Sequence, residues 1–530
     1  MVATSETSAI DAEPAFDVFA KHYATASTQL VWTRLVADLE TPVSAYLKVA
    51  SGKPQSAAMS FLLESVEGGA VRGRYSIIGL DPDVIWRAFG DVCEINRSPQ
   101  TEPDAFTTLK GGTLAGLRDL LADSRLNVPE GLPPMAAGVF GYMGYDTIRL
   151  VEHLPNVRPD PHGVPDAILM RPTLIIVFDA VKDEMTVITP VRPDAKLTAA
   201  QAYEQATARL GSVVTALAAG LPVGSDVQMA AGELTDPVSN TTPAEYKAMV
   251  ARAKEYISAG DVFQVVLSQR FSTPFTLPPF QLYRALRRTN PSPFLFHLDF
   301  GGFSLVGSSP EILVRVRAGE VTIRPIAGTA RRGATAAEDQ ALAEALLADP
   351  KERAEHLMLL DLGRNDVGRV AEIGSVAVTE RFIVERYSHV MHSVSNVIGR
   401  LDAANHDAID ALMAGFPAGT VSGAPKVRAM QVIDELEKDK RGPYGGCVGY
   451  FSADGEMDTC IVLRTGLVKD GVLHIQAGAG LVYDSIPENE QQECINKAKA
   501  LVRAADEAKR VAARGRRGGG GGAGNGGVWG

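Results

Sequence analysis

"VTIRPIAGTARRG", residues 321–333, is a β-like run, a tight turn at Ala327-Gly328-Thr329 and then two arginines. A structural loop needs the glycine, which is at ease at positive φ. It does not need exposed amides, a hydroxyl and two guanidinium groups beside it. The same grammar of short apolar runs and Gly/Pro/Asp turns extends outward on both sides. "SFLLES", "YSIIGL", "AAGVFGYMGYD" and "TLIIVFDAV" make residues 26–190 strand-rich α+β. "AQAYEQATARLGSVVTALAAG", 200–220, has helical periodicity. In "TTPAEYKAMVARAKEYISAGD", Thr242 can cap a helix, Pro243 suits its first position, Glu245 completes a capping box and Gly260 can end it. From there to about 508, strands and helices alternate.

At 530 residues the chain is too long for one compact core, and the length prior is roughly two to four domains. The punctuation divides it into a flexible lead-in, 1–25, an N-terminal domain, 26–222, a polar Gly/Pro-rich linker, 223–240, a C-terminal domain, 241–508, and a basic then glycine-rich tail, 509–530. Such a tail buries too little to repay its ordering, so disorder is expected.

Hydrophobic residues are 45% and charged ones 22%, as in an ordinary soluble protein. A net charge of −11 argues against nucleic-acid binding through bulk charge. The five Lys/Arg of 509–517 have no aromatic among them for stacking. Cys93, Cys447, Cys460 and Cys494 form no CxxC pair, which fits a reducing cytoplasm. The first residues lack a basic and apolar signal pattern, and no apolar run reaches membrane-spanning length.

Three features carry chemistry. Glu352 and Glu355 are three apart on one predicted helix, and Glu490 and Glu493 repeat that spacing on another, with Lys497 four residues beyond Glu493. Such carboxylates are most often solvated helix charge. Two from each of two helices would also suit a Mg²⁺ that borrows oxygens from an anionic substrate. Glycine-rich turns come next: "AGT" (327–329), "FPAGTVSGAPK" (416–426), "GPYGGCVGY" (442–450) and "QAGAG" (476–480). Exposed amides in such turns bind carboxylates or phosphates, though each alone is more often a plain turn. Third, "DTCIVLRTG" reads as a strand, 459–465, with Arg464 near its end, able to fork onto a carboxylate. "ERYSHVMHSVSNVIG" offers His389 and His392.

As an ordered set, "GDVFQVVLSQRF", "NPSPFLFHL", "GSSPEILV", "PIAGTARRG", "ERAEHLMLLDLGRNDVGRV", "FPAGTVSGAPKVRAMQVIDELE", "YGGCVGYF", "DTCIVLRT" and "QAGAG" closely resemble the chorismate-utilising enzyme family, in particular its anthranilate-forming members. The resemblance is strong over 240–508 and weaker before it. It implies stacked antiparallel β-sheets flanked by helices, an α+β fold, with an N-terminal regulatory part. It implies Glu355 and Glu493 as Mg²⁺ ligands, with Glu352 and Glu490 acting behind them or through water. Gly328, Thr329, Tyr444, Arg464, Gly478, Ala479, Gly480 and Lys497 match chorismate-binding positions. His392 matches a histidine implicated in catalysis, and Thr420 lines the same pocket.

Isochorismate and salicylate synthases place a lysine base where this chain has Gln264. Aminodeoxychorismate synthases place a nucleophilic lysine where it has Ala327. Both differences imply addition of ammonia, with an aminodeoxychorismate synthase component as the alternative. None of the cysteines stands in a glutaminase context, so a separate glutamine amidotransferase subunit is implied as partner, in a heterotetramer of two of each. Ser65 and Pro293-Phe294-Leu295 match positions that bind tryptophan as feedback inhibitor. The contrasting reading is a catalytically silent binding subunit, which loss of the polar positions above would favour; all are present.

Overall fold

The structure, a computed structural model, describes residues 10–50, 59–67, 71–221, 236–387 and 390–518. Every ladder in it is antiparallel, and 22 strands join one hydrogen-bonded network. One core is built mostly from strand residues such as Phe61, Phe140, Ile175, Phe296 and Leu305. Two larger cores lie between strands and helices, and a small one joins Ala343 and Leu346 to Met391. Sheets packed on each other and flanked by helices are the α+β arrangement expected from the resemblance.

The expected helices form where their signals stand. Thr198 caps the helix Ala199–Ala218 in a capping box with Gln201. Thr242 caps Pro243–Ser258 with Glu245 in the same way, and Gly260 follows its end at φ +84°. Each box satisfies amide donors that a helix start would leave unpaired.

The two halves are not separate sheets. The strand Met59–Glu67 pairs with Phe294–Phe300, and Gly138–Met143 pairs with Cys447–Ser452. The division at the linker is therefore one of sequence and not of the sheet, because strands from both halves are neighbours. Residues 223–235 of that linker lie outside the described residues, while Val238–Ser239 already pair with the strand Gln264–Pro274.

Both ends also differ from expectation. Within the lead-in, residues 16–24 form the helix Phe16–Ala24, and Phe19 is fully buried against Tyr23 and Tyr203. Within the tail, the last helix runs from Pro487 to Gly518, ten residues beyond the expected boundary at 508. Ala508 and Ala512 continue its buried stripe from Leu501, Ala504 and Ala505. Alanine and arginine are strong helix formers, so burial plus propensity carries the helix on. Residues 519–530 lie outside the described residues.

Candidate active site

The opening turn is a bulge. The strand Ile326–Arg331 pairs with Val390–Arg400, and its register slips between Ala327 and Thr329. Gly328 sits there at φ +69°, and a Cβ on it would meet Glu352 Oε2 at 2.8 Å. Conformation and space both demand glycine. The bulge turns the Gly328 carbonyl to His392, whose Nδ1 lies 2.9 Å from it and 3.1 Å from Thr329 Oγ1. A carbonyl only accepts, so Nδ1 carries the proton and Nε2 is left as the basic nitrogen. Burial lowers the His392 pKa, and Arg464 pushes the same way, so the ring is neutral at neutral pH.

The two arginines serve a structural end. Arg331 pairs with Glu338 at 2.6 Å, and Arg332 pairs with Asp339 at 2.7 Å while donating to the Tyr387 carbonyl at 2.5 Å. Both carboxylates stand in the first turn of the helix Ala336–Ala348, so these guanidinium groups fasten helix to strand.

Glu352 and Glu355 lie on the helix Pro350–Gly368, and Glu490 and Glu493 on the last helix. The pairs converge. Burial raises the pKa of Glu355, and the charges of Glu352 and Glu493 raise it further. Glu352 and Glu490 are likewise raised, burial first, with Glu493 contributing to both. Glu493 pairs with Lys497 at 2.7 Å, and Lys497 Nζ donates to the Gly478 carbonyl at 2.9 Å. Among the described residues no ion pair or hydrogen bond reaches the Glu355 carboxylate, and no three His/Cys/Asp/Glu side chains stand close enough together to hold a metal ion by themselves. The donors are all carboxylate oxygens, the chemistry a hard divalent cation prefers, and too few to complete its shell without oxygens from elsewhere.

"QAGAG" is a strand and not a turn, the end of Val472–Leu481, paired with Gln264–Pro274. The Gly478 carbonyl accepts from Lys497 and so faces away from its partner strand. In a strand, N–H and C=O of one residue point the same way, and residues two apart repeat it, so Gly478 and Gly480 offer amides at that edge. A Cβ on Gly478 would meet Tyr444 Oη at 2.9 Å, and one on Gly480 would meet Gln264 Nε2 at 2.7 Å. The glycines thus let two polar side chains reach the strand. Gln264 is 3% exposed, and its Oε1 is buried without a hydrogen-bond partner.

The single strand expected at 459–465 is two, Met457–Ile461 and Thr465–Lys469. They break at Arg464, which adopts φ +48°. A non-glycine residue in the left-handed region is strained, and such strain clusters at functional sites. Burial lowers the Arg464 pKa, yet among the described residues no carboxylate pairs with it, and its guanidinium donates to Ser292 Oγ at 3.4 Å. A buried guanidinium lacking a counter-ion is a receptor for an anion.

Sequence reasoning did not single out Glu311. It is 6% exposed, and burial pushes its pKa up to about 8, while the nearby Thr420 hydroxyl and the Ile326 amide pull it down. With Thr420 it lines a cavity of about 30 Å³, and Thr420 Oγ1 is buried without a hydrogen bond of ordinary geometry. Glu311 is therefore a carboxylic acid at neutral pH. Its signal in the sequence is a charge inside the apolar run of the motif "GSSPEILV". The Tyr387 ring lies tilted against that of His392, 5.6 Å between centroids, and within electrostatic reach of Glu311, which places these groups together.

Away from this cleft, Ser65 stands opposite Phe294 in the ladder, with Leu295 opposite Glu64, so Ser65 and Pro293-Phe294-Leu295 are brought together. Ser65 Oγ donates to the Tyr75 carbonyl at 3.2 Å. His389 lies outside the described residues.

The family model for chorismate binding enzymes matches residues 79–503. The chain is 57% identical over 499 residues to anthranilate synthase component 1 of Cereibacter sphaeroides, covering 94% of this chain and 99% of that one. It is 48% identical to the same component of Pseudomonas putida, covering 90% and 95%. Among solved structures, anthranilate synthase component I of Streptococcus pneumoniae superposes with a TM-score of 0.71 at 38% identity, covering 88% of this chain and 98% of that one. A menaquinone-specific isochorismate synthase from Escherichia coli shares the fold, with a TM-score of 0.67 at 19% identity over 93% and 99% of the two chains. With motif order, antiparallel architecture and these likenesses in agreement, the chain belongs to the chorismate binding enzyme family, among the component I chains of anthranilate synthases.

Proposed function

We propose that this chain converts chorismate and ammonia to anthranilate and pyruvate, the first step toward tryptophan, as a carbon–oxygen lyase in the cytoplasm. The observation that carries the reading is Gln264. A buried amide accepts hydrogen bonds but cannot deprotonate water. The nucleophile at that place must need no base, which ammonia satisfies. Arg464 and the edge amides at Gly478 and Gly480 hold the carboxylates of the substrate, with Thr329, Tyr444 and Lys497 around them. Glu311, protonated at neutral pH, is suited to give its proton to a departing hydroxyl. His392, neutral with Nε2 unprotonated, is suited to take the proton that aromatisation releases.

Glu355 and Glu493 would hold a Mg²⁺, with Glu352 and Glu490 behind them. When bound, the ion neutralises a substrate carboxylate and draws electron density from the ring. The like-charge crowding of these glutamates supports that assignment. The ammonia comes from glutamine through a component 2 amidotransferase partner, in a heterotetramer of two of each subunit. Tryptophan binding between Ser65 and Phe294 would supply feedback inhibition.

Purified chain with chorismate, Mg²⁺ and ammonium at alkaline pH should develop anthranilate fluorescence, and glutamine in place of ammonium should not support it. Consumption of chorismate without fluorescence would refute the formation of anthranilate.

A further inference from the structure

Arg441 is 2% exposed, and all its contacts converge on the frame of the active site. It follows the helix Lys426–Leu436 and precedes Tyr444. Its Nε and Nη2 donate to the two oxygens of Glu437, at 2.9 and 2.6 Å. Nη1 donates to the Val421 carbonyl at 2.6 Å, and Nη2 to the Val266 carbonyl at 2.7 Å. The guanidinium lies 4.6 Å from the ring of Tyr145 and 5.5 Å from that of Tyr444. Glu437 extends the reach, because its Oε1 also accepts from Ser268 N at 2.7 Å and Ser268 Oγ at 2.9 Å.

Each partner neighbours a group of the site. Val421 follows Thr420 in a 3₁₀ turn. Val266 pairs with Gly480 and Ser268 with Gly478. Tyr444 reaches Gly478. Tyr145 comes from the other half of the chain, and its amide donates to the Gly442 carbonyl at 2.9 Å. A buried ion pair is a poor way to gain stability, since apolar residues of similar volume usually serve as well or better. What it provides here is direction: four hydrogen bonds from one rigid fork meet two carbonyls and a carboxylate from three segments.

We infer that Arg441 and Glu437 are positioning residues for the reaction, holding the Thr420 turn, the Gly478–Gly480 edge and the Tyr444 ring in register. This rests on the site being the chorismate site. Neither residue touches the substrate; they act through the groups they hold.

The experiment compares wild type, Arg441→Lys, Arg441→Met and the double variant Arg441→Met/Glu437→Met. Each is followed by its thermal midpoint, by a chorismate titration in Mg²⁺ read from intrinsic fluorescence, and by chorismate consumption with ammonium. The double variant should regain most of the midpoint that a lone Arg441→Met loses. Its kcat/KM should stay about 100-fold below wild type, mainly through kcat, because an ångström of misplacement suffices for that loss. Arg441→Lys keeps the charge but not the fork; it should fold and lose activity similarly. Recovery of turnover together with the midpoint would overturn the inference, as would wild-type kinetics and binding in Arg441→Lys. Should the double variant fail to fold, Arg441→Lys alone decides. Absence of chorismate binding and consumption in wild type would instead bring down the proposed function.

Discussion

Gly328 is where conformation and chemistry meet in one residue. A methyl group there must occupy a left-handed backbone and displace the Glu352 carboxylate. Gly328→Ala should leave the fold intact, lower stability by about 1–2 kcal/mol and weaken Mg²⁺-dependent activity, measurable by thermal melting and a Mg²⁺ titration. Glu355→Gln should abolish Mg²⁺-dependent turnover, by more than about 100-fold, with an unchanged circular dichroism spectrum; wild-type rates would remove the metal assignment. Glu311 gives a pH prediction. Its folded pKa of about 8 lies above the ordinary 4.5 of a glutamate, so the folded chain keeps a proton that the unfolded chain loses. Stability therefore falls as pH rises between those values, by up to about 1.4 kcal/mol per unit, and Glu311→Gln should flatten that slope. Turnover should decline above about pH 8 as the acid ionises. The four glutamates, Gly328 and His392 stand out in the sequence through motif order and the family resemblance, since spacing alone reads as solvated helix charge. Glu311, Glu437 and Arg441 do not, because their meaning lies in burial by segments far away in the chain.

Helices bring the carboxylates together, and their packing is as much a part of the site as their charges. The last helix presents Glu490, Glu493 and Lys497 at its start and buries Leu501, Ala504, Ala505 and Ala508 behind them. Leu501→Ala opens a cavity against the strand Thr465–Lys469 and the helix Pro279–Thr289, where Leu282 is equally buried. It should lower stability by about 3 kcal/mol in denaturant unfolding. The site should also become less rigid, so that KM for Mg²⁺ rises more than KM for ammonium. Caps made the starts of the helices Ala199–Ala218 and Pro243–Ser258 readable in sequence. The far end of the last helix was not, since the apolar stripe that extends it is alanine, which marks helix and tail composition alike. Arg464 shows the same limit: an unbroken apolar run around it concealed a strand break that exists only as a φ angle.

At the scale of the molecule, the halves hold each other's strands. Without residues 59–67, the strand Phe294–Phe300 loses a ladder partner, and without 138–143 so does Cys447–Ser452. An isolated 236–518 piece would expose both edges together with residues of the strand-built core. Expressed alone it should be insoluble or lack a cooperative melt, whereas coexpression with 1–221 should restore one transition in calorimetry. Two independent melts would disprove the interlock. Local pattern could not reveal this, because a change of composition near 223–240 reports on the chain path and not on which strands become neighbours.

The interleaving reaches into inheritance. A crossover between two related genes at the codons for 222–235 looks conservative, since it exchanges whole halves. It would nonetheless join strands of different parentage along both the 59–67/294–300 and the 138–143/447–452 ladders. The viability of such chimeras should track the number of mismatched cross-strand neighbours rather than the number of differing codons, and the two halves should drift as a single locus.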